Sequence, residues 1–181
     1  NQFLPSTRLL EIRPSEKKRV LNHIVRRLEE SKLPGSDHAI NHLHDKYSRN
    51  LATNTIRYSG EFILSFLAFF NTLGKYLFED ISRKDIAAYV EHELDRGLKI
   101  VSIRGKLAMV YAFLQFLVDN KILPPEILHK KINIKLPKIL PKAIPVDDLK
   151  QLLAVIDNHR DQALILLLLH TGMRIGELLN T

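Results

Sequence analysis

The stretch VSIRGKLAMVYAFLQFLVDN at residues 101–120 decides the fold class of this chain. Its apolar side chains recur at intervals of three and four, at Ile103, Leu107, Val110, Phe113, Leu114 and Leu117. This spacing forms one broad apolar face along an α-helix, whereas a half-buried strand would alternate at every second residue. The stretch therefore predicts a long helix that packs against other helices.

Residues 53–73 show the same helical spacing. Thr53 is suited to cap this second helix, and Gly74 is suited to end it. The apolar face consists of Ile56, Ile63, Phe66, Leu67 and Phe70. A face of this width predicts a helix that lies in the same core as residues 101–120.

Two further helices are expected around these. Residues 82–85, Ser-Arg-Lys-Asp, resemble a capping box that opens a helix closing at Gly97. A shorter helix is expected over residues 37–48. No alternating strand pattern occurs in the sequence, so we predict an all-α helical bundle over residues 37–123.

The first 36 residues are interpreted as an N-terminal arm with one helix, over residues 15–31. Proline and glycine at positions 34 and 35 end that helix. Its polar face is basic, with Lys17, Lys18, Arg19, Arg26 and Arg27. These side chains either touch nucleic acid or form an ordinary solvated face, and the sequence leaves both interpretations open.

A proline-rich and lysine-rich stretch follows the bundle. Residues 124–145 contain five prolines and five lysines, which favour an extended, solvated segment over a continuous helix. We interpret this stretch as an interdomain linker, with a plain tether as the alternative. Residues 146–181 are then the start of a second domain. The sequence begins without Met and stops inside a helical pattern, so we expect a piece of a longer protein.

The chain has a net charge of +7, and most of the excess lies outside the predicted bundle. Residues 1–36 hold eight Lys and Arg against four acids, and residues 124–145 hold five against one. Positive charge on flanking segments suits a nucleic-acid backbone, because phosphate contacts release counterions. A solubilising surface is the alternative.

The sequence gives little indication of a metal-binding or membrane-spanning protein. The chain has no cysteine, so disulfides and thiolate metal sites are excluded and a reducing cytoplasm is the expected compartment. His38 and His42 are four residues apart, but His44 lies off their shared face, and we expect no metal. The apolar run at 163–169 is too short to span a bilayer, and no membrane partner is expected.

The last eleven residues, TGMRIGELLNT, place an arginine at the start of a helix. The apolar run before them predicts a buried helix that Gly172 ends, and Arg174 then stands three positions before Glu177. Free backbone N–H groups at a helix start favour an anion such as phosphate. A surface pair between Arg174 and Glu177 is the alternative. An apolar stripe is expected to fix this short helix on the core: Ile175, Leu178 and Leu179.

These residues resemble the first arginine box of the tyrosine recombinase (phage integrase) family, whose fixed positions fall on Thr171, Gly172, Arg174 and Glu177. The bundle resembles the family's SAM-like core-binding domain, as in the pattern Ile81, Ser82, Asp85, Ile86 and Tyr89. The resemblance covers about residues 50–181 in the right order. Tyr111 departs from the family pattern, in which an arginine is common at that place.

The resemblance implies an enzyme that cuts one DNA strand with a tyrosine, stays linked to the 3′ phosphate and rejoins the strand without metal or other cofactor. Arg174 matches the first catalytic arginine, and Glu177 is expected to orient it. The nucleophilic tyrosine lies downstream in the family, so this chain alone is expected to be inactive. A homotetramer on DNA is expected for the full-length protein.

Double-stranded DNA is the expected partner of the bundle. Polar and cationic groups near two helix starts, with two linker lysines, are the expected contacts: Asn54, Arg57, Tyr58, Ser102, Arg104, Lys106, Lys138 and Lys142. The alternative is a helical DNA-binding or protein-interaction module without catalysis, since the fold alone does not separate the two. The arginine box favours the recombinase.

Overall fold

The computed structural model describes residues 15–137 and 143–179. Its helices are α1 (Glu16–Ser31), α2 (Ser36–Ser48), α3 (Thr53–Thr72), α4 (Arg83–Asp95), α5 (Ile100–Asp119), α6 (Val146–Ala154), α7 (His159–Thr171) and α8 (Ile175–Leu178). Short 3₁₀ turns lie at Phe78–Asp80 and Pro125–Leu128. No strand occurs in the described ranges, and the predicted all-α class is confirmed. The chain divides into two compact units, Asn1–Leu136 and Pro137–Thr181.

Helix α1 belongs to the first unit, although it was predicted to lie in a separate N-terminal arm. Its start is capped by Ser15, whose Oγ accepts a hydrogen bond from the backbone N–H of Lys18 at 3.3 Å. Leu21, Ile24 and Leu28 form its buried face, which packs on α2 and α3. Burial of these three apolar side chains stabilises the packing of α1 on the bundle.

The core of the first unit is built by helices α1 to α5, and α3 packs on each of the other four. Phe66 of α3 and Tyr89 of α4 meet edge to face, with ring centroids 5.2 Å apart. Gly60 of α3 allows α1 to approach closely, because a methyl group there would overlap the side chain of Ile24. Phe113 of α5 is fully buried in the same core.

The capping box at the start of α4 is present as predicted. The carboxylate of Asp85 accepts hydrogen bonds from the backbone N–H of Ser82 at 2.8 Å and from its hydroxyl at 2.6 Å. Lys75 donates to the same carboxylate at 2.6 Å. Burial raises the pKa of Asp85, but the hydrogen bonds from Lys75 and Ser82 outweigh it and leave the pKa below its usual value.

The beginning of the predicted linker lies against the bundle. The hydroxyl of Tyr111, on α5, accepts a hydrogen bond from the backbone N–H of Ile132 at 2.7 Å. Arg83 donates to the carbonyl of Lys130 at 2.8 Å. Four partly buried side chains add apolar contacts with the core: Ile127, Leu128, Ile132 and Ile134. Prolines exclude a continuous helix here, as expected, but the apolar residues between them fix this part of the segment.

The second unit has no buried residue among those described, 143–179. Leu166, Leu167 and Leu169 of α7 are each more than two fifths exposed, and Ile175 and Leu179 are 65% exposed. The expectation of a buried helix, and of a stripe that fixes α8 on a core, is therefore wrong for the described residues. Three short helices supply too little surface to enclose a core of their own.

One helix in the described part of the chain, α5, is long and apolar enough to cross a membrane by length and composition alone. Seven of its residues, including Phe113 and Leu117, are buried in the bundle. Core helices of this kind pass the same test of length and hydropathy.

Candidate nucleic-acid interface

Helix α3 presents the first group of predicted DNA contacts on one exposed face. Asn54, Arg57 and Tyr58 all lie in its first two turns and all are exposed. Tyr58 is 50% exposed and its ring stacks on Phe62, with centroids 5.7 Å apart. Within the described ranges Arg57 has no ion pair, so its guanidinium is available to an outside anion.

Helix α5 carries the second group, and its members differ in availability. Ser102 and Arg104 are exposed, and the described residues include no ion pair for Arg104. The side chain of Lys106 is only 12% exposed, and its Nζ lies 2.7 Å from Oε2 of Glu93. The Lys106 ammonium also lies 5.7 Å from the ring centroid of Phe62. A DNA phosphate would therefore compete with Glu93 for Lys106.

Glu93 is a fully buried carboxylate that was not among the predicted site residues. Besides Lys106 it accepts hydrogen bonds from Arg96 Nη1 at 3.0 Å and from Ser65 Oγ at 3.2 Å. Burial raises the pKa of Glu93, but the hydrogen bond and charge of Lys106, with Arg96 and Ser65, leave the pKa below its usual value. The network joins α3, α4 and α5 beneath the candidate interface.

The sequence contained a signal for Glu93. Ile86 and Tyr89 mark the buried face of α4, and a residue seven positions after Ile86 falls on that face as well. A carboxylate at such a position needs cationic or hydrogen-bonding partners. Lys106 is the matching cation on the neighbouring helix.

The two groups of predicted contacts do not form a single cluster. Ser59 of α3 lies opposite Met109 of α5, with Oγ and Sδ 3.3 Å apart, whereas Ser65 lies 3.4 Å from Lys106 Nζ. The helices thus run in opposite senses, and their starts lie at opposite ends of the contact. Tyr58 and Lys106 are connected through the ring of Phe62.

Arg104 lies on another side of α5, next to the start of the linker. It lines an open groove of about 360 Å³ with Tyr111, Lys131 and Ile132. The Lys131 ammonium lies 5.6 Å from the ring centroid of Tyr111. The docked segment therefore adds a lysine beside Arg104, Lys131, that was not among the predicted DNA contacts. Lys138 and Lys142, the two predicted linker contacts, lie outside the described residues.

The arginine of the predicted catalytic box pairs with its glutamate. Arg174 stands just before α8; its backbone N–H donates to Glu177 Oε2 at 2.8 Å and its Nη1 donates to Oε1 at 3.1 Å. Gly172 ends α7 with a φ of 66°, a left-handed conformation that favours glycine. The Arg174 side chain is 87% exposed, so the pair leaves the other guanidinium nitrogens open to solvent.

The histidines considered as metal ligands are used otherwise. His42 is buried with its ring 5.5 Å from Phe113 and 4.9 Å from Phe116, and neither ring nitrogen has a hydrogen-bond partner. Burial, followed by the charge of Lys46, lowers the pKa of His42 to about 4. Within residues 15–137 and 143–179, no three His, Asp or Glu side chains are grouped so that they could hold a metal ion.

Much of the chain is similar in sequence to known proteins. Residues 40–121 match the family described as "Phage integrase, N-terminal SAM-like domain". The chain is 30% identical over 145 residues to tyrosine recombinase XerC of Bacillus pumilus. This alignment covers 76% of this chain and 48% of the relative. It is 33% identical over 112 residues to XerA of Pyrococcus furiosus, covering 60% of this chain and 37% of the relative. This chain is a homologue of the tyrosine recombinases.

The comparison also sets the extent of the likeness. The chain spans about half the length of the curated relatives it matches, as with XerC of Psychromonas ingrahamii, of which it covers 49%. No solved structure gives a significant match. In this tyrosine recombinase homologue the family match begins at residue 40, inside α2. Helix α1 precedes the matched region, although it is packed into the same compact unit.

Proposed function

We propose that this chain is the DNA-binding part of a tyrosine-type site-specific recombinase. The observation that carries the proposal is that the region homologous to tyrosine recombinases presents two exposed guanidinium groups, Arg57 on α3 and Arg104 on α5, with no ion pair for either among the described residues. Guanidinium groups without carboxylate partners bind phosphate oxygens in a bidentate manner. Double-stranded DNA is the partner that offers such oxygens along an extended surface.

Within this proposal the polar side chains have different roles. Arg57 and Arg104, with Lys131 nearby, contact backbone phosphates and set the position of the duplex. Asn54, Tyr58 and Ser102 offer amide and hydroxyl groups of the kind that contact sugars or base edges. Lys106 contributes less than Arg57, because its ammonium already neutralises Glu93. Lys138 and Lys142 are proposed to follow the backbone beyond the bundle.

For the full-length protein we propose strand cleavage and rejoining through a 3′-phosphotyrosine, without a cofactor, in a homotetramer on DNA in the cytoplasm. Arg174 stabilises the charge on the phosphate that is attacked, and Glu177 orients it. The present 181 residues are proposed to bind DNA without cleaving it. The homology to recombinases supports this assignment over a regulatory module, and the hydrogen bonds between Arg174 and Glu177 suit the orienting role.

The proposal is tested by fluorescence anisotropy with a labelled duplex of mixed sequence at several salt concentrations. Binding is expected to weaken with salt, with a slope of about −0.9 in log K against log salt for each phosphate neutralised. Arg57→Gln combined with Arg104→Gln should reduce both affinity and slope. Lys84→Gln combined with Lys121→Gln removes the same charge elsewhere and serves as the control. Equal effects of the two pairs, or no binding by the unmodified chain, would contradict the proposed surface.

A further inference from the structure

Helix α1 is fixed to the bundle by several of its own basic residues. Lys17 Nζ donates to Asn50 Oδ1 at 2.6 Å, and the Lys18 ammonium lies 5.2 Å from the ring centroid of Tyr47. These contacts join the first turn of α1 to the end of α2. Because Lys17 and Lys18 already contact groups of the protein, they are less available to bind an outside anion.

The far end of α1 is held in the same manner. Arg27 forms an ion pair with Glu61 of α3, and Arg26 lies 3.6 Å from Glu30 of its own helix. Four of the five cations on the basic face therefore have partners within the protein. The fifth, Arg19, has no ion pair or side-chain hydrogen bond among the described residues and is exposed.

Arg19 faces the proposed DNA-binding surface. It lines an open groove of about 520 Å³ between α1 and α3, and the opposite wall carries Arg57. His23 lines the same groove, as do two acids, Glu16 and Glu61. Because Glu61 is already neutralised by Arg27, two guanidinium groups face one remaining carboxylate, that of Glu16, and the groove keeps an excess of one positive charge.

We propose that α1 is a second DNA-contacting element, in which Arg19 binds a backbone phosphate next to the one held by Arg57. His23 lies one turn after Arg19 and donates a hydrogen bond to the same strand of phosphates. The inference rests on the proposed DNA-binding function and extends it to a helix that lies before the family match at residue 40. The contact lengthens the DNA footprint of the bundle beyond the helices α3 and α5.

The geometry favours a nucleic acid over an acidic protein segment. Arg19 and Arg57 belong to two helices that pack on each other, and the exposed face of α3 continues from Arg57 to Tyr58. A duplex backbone presents regularly spaced phosphates that meet both cations in one docked position. A protein segment that binds only this groove would leave Asn54 and Tyr58 without a ligand.

The test measures the salt dependence of binding by the full 181-residue chain, using a labelled duplex of mixed sequence. Arg19→Gln is expected to make the slope of log K against log salt smaller by about 0.9, the loss of one phosphate contact. Lys84→Gln removes the same charge from an exposed position on α4 and should leave the slope unchanged. Arg19→Lys keeps the charge and should retain most of the slope. Thermal unfolding of each variant checks that the bundle is intact.

The outcomes separate this inference from the proposal it rests on. If the unmodified chain shows no salt-dependent binding to the duplex, the proposed function fails. If it binds, but Arg19→Gln and Lys84→Gln have the same slope, DNA binding stands and the role of α1 is overturned. Binding of a poly-glutamate peptide that is lost in Arg19→Gln, while the same variant binds the duplex with an unchanged slope, would assign the groove to an acidic protein segment and would also overturn it.

Discussion

Lys106 and Glu93 form an ion pair inside the bundle, with Nζ and Oε2 2.7 Å apart and the Glu93 side chain fully buried. Lys106, which was predicted to contact DNA, therefore stabilises the fold by neutralising a buried carboxylate. Removing one partner of a buried pair leaves an uncompensated charge, which is far more costly than losing an exposed pair. Arg96 remains close to Glu93 and limits the loss.

We therefore expect Lys106→Met to lower the free energy of unfolding by about 2–4 kcal/mol, measured by urea denaturation at neutral pH. Methionine keeps most of the aliphatic stem, so the effect reports the charge. Arg104→Met, at an exposed position on the same helix, should change stability by less than about 0.5 kcal/mol and weaken DNA binding instead. Loss of DNA affinity from Lys106→Met with stability unchanged would contradict this assignment.

A second prediction concerns the close approach of α1 to α3. Gly60→Ala would place a methyl group on the buried side chain of Ile24, so we expect a loss of about 1–3 kcal/mol in stability. Alanine favours a helix by about 1 kcal/mol over glycine, which works in the opposite direction. Gly105→Ala on α5 has open space around the new methyl and should stabilise by up to about 1 kcal/mol. Equal signs for the two variants in thermal melts would refute the packing argument.

His42 predicts an acid-sensitive step in stability. Its pKa is about 4 in the folded chain and near 6.5 when the chain is unfolded. Between these values the unfolded chain binds a proton that the folded chain does not, so stability falls as the pH is lowered through this window. The full effect is on the order of 3 kcal/mol and is complete below pH 4.

Replacing His42 isolates this contribution. His42→Leu removes two buried nitrogens that lack hydrogen-bond partners and should leave stability at pH 7 equal or higher. It should also flatten the change in stability between about pH 6.5 and pH 5, above the range in which the contribution of Glu93 changes with pH. Glu93, with its lowered pKa, loses its contribution only as the pH falls from the usual carboxyl value through that lowered pKa. His44→Leu, at an exposed position, is the control and should retain the slope.

Most helices of the first unit were predictable because their local signals agree with their packing, but Thr53 does not cap α3, whose N-cap position is occupied by Ala52 without a side-chain hydrogen bond. Ser82 and Asp85 form the capping box that their spacing indicated, and Ile56 to Phe70 bury the face that their periodicity indicated. Local hydrogen bonds and a 3.6-residue period are properties of the sequence itself. The role of α1 in the core was missed because Leu21 and Ile24 depend on partners distant in sequence.

The candidate interface was only partly predictable, for a related reason. The exposure of Arg57 and Tyr58 follows from their position on the polar face of α3. The ion pair of Lys106 was not predictable in this way, because it depends on Glu93 of a neighbouring helix. In the second unit the leucines of α7 were predicted to be buried from hydropathy alone. Hydropathy identifies surface that gains from burial, and whether Leu167 is covered depends on which other segments are present to pack on it.

Tyr111 is expected to hold the start of the linker in place. Tyr111→Phe removes the acceptor for the Ile132 amide while keeping the ring, so amide exchange at Ile132 should accelerate by several-fold, consistent with a net hydrogen bond of about 0.5–1.5 kcal/mol. Hydrogen–deuterium exchange followed by NMR measures this directly. Tyr58→Phe, whose hydroxyl has no hydrogen bond among the described residues, is the control. Unchanged protection of Ile132 would show that the apolar contacts of the segment and the hydrogen bond from Arg83 hold it without the Tyr111 hydroxyl.

The last prediction concerns Arg174 and separates a catalytic arginine from a surface ion pair. In the full-length protein, Arg174→Ala should still bind DNA but lose strand cleavage by about 10²–10³-fold, the usual cost of removing one preorganised donor to a developing oxyanion. Lysine at this position should restore little, because a point charge does not reproduce the two-nitrogen contact of a guanidinium. Glu177→Gln should have a smaller effect, since the glutamine oxygen still accepts a hydrogen bond from Arg174.

A nicked suicide substrate that traps the covalent protein–DNA complex measures cleavage, and anisotropy on the same variants measures binding. If Arg174 only pairs with Glu177 at the surface, where its side chain is 87% exposed, its removal should change stability by at most about 1 kcal/mol and leave the covalent complex at its normal yield. The 181-residue chain gives the matching negative control, because we expect it to bind the duplex and form no covalent complex. Normal yield from Arg174→Ala would therefore exclude Arg174 from the chemistry while leaving the DNA-binding role of Arg57 and Arg104 intact.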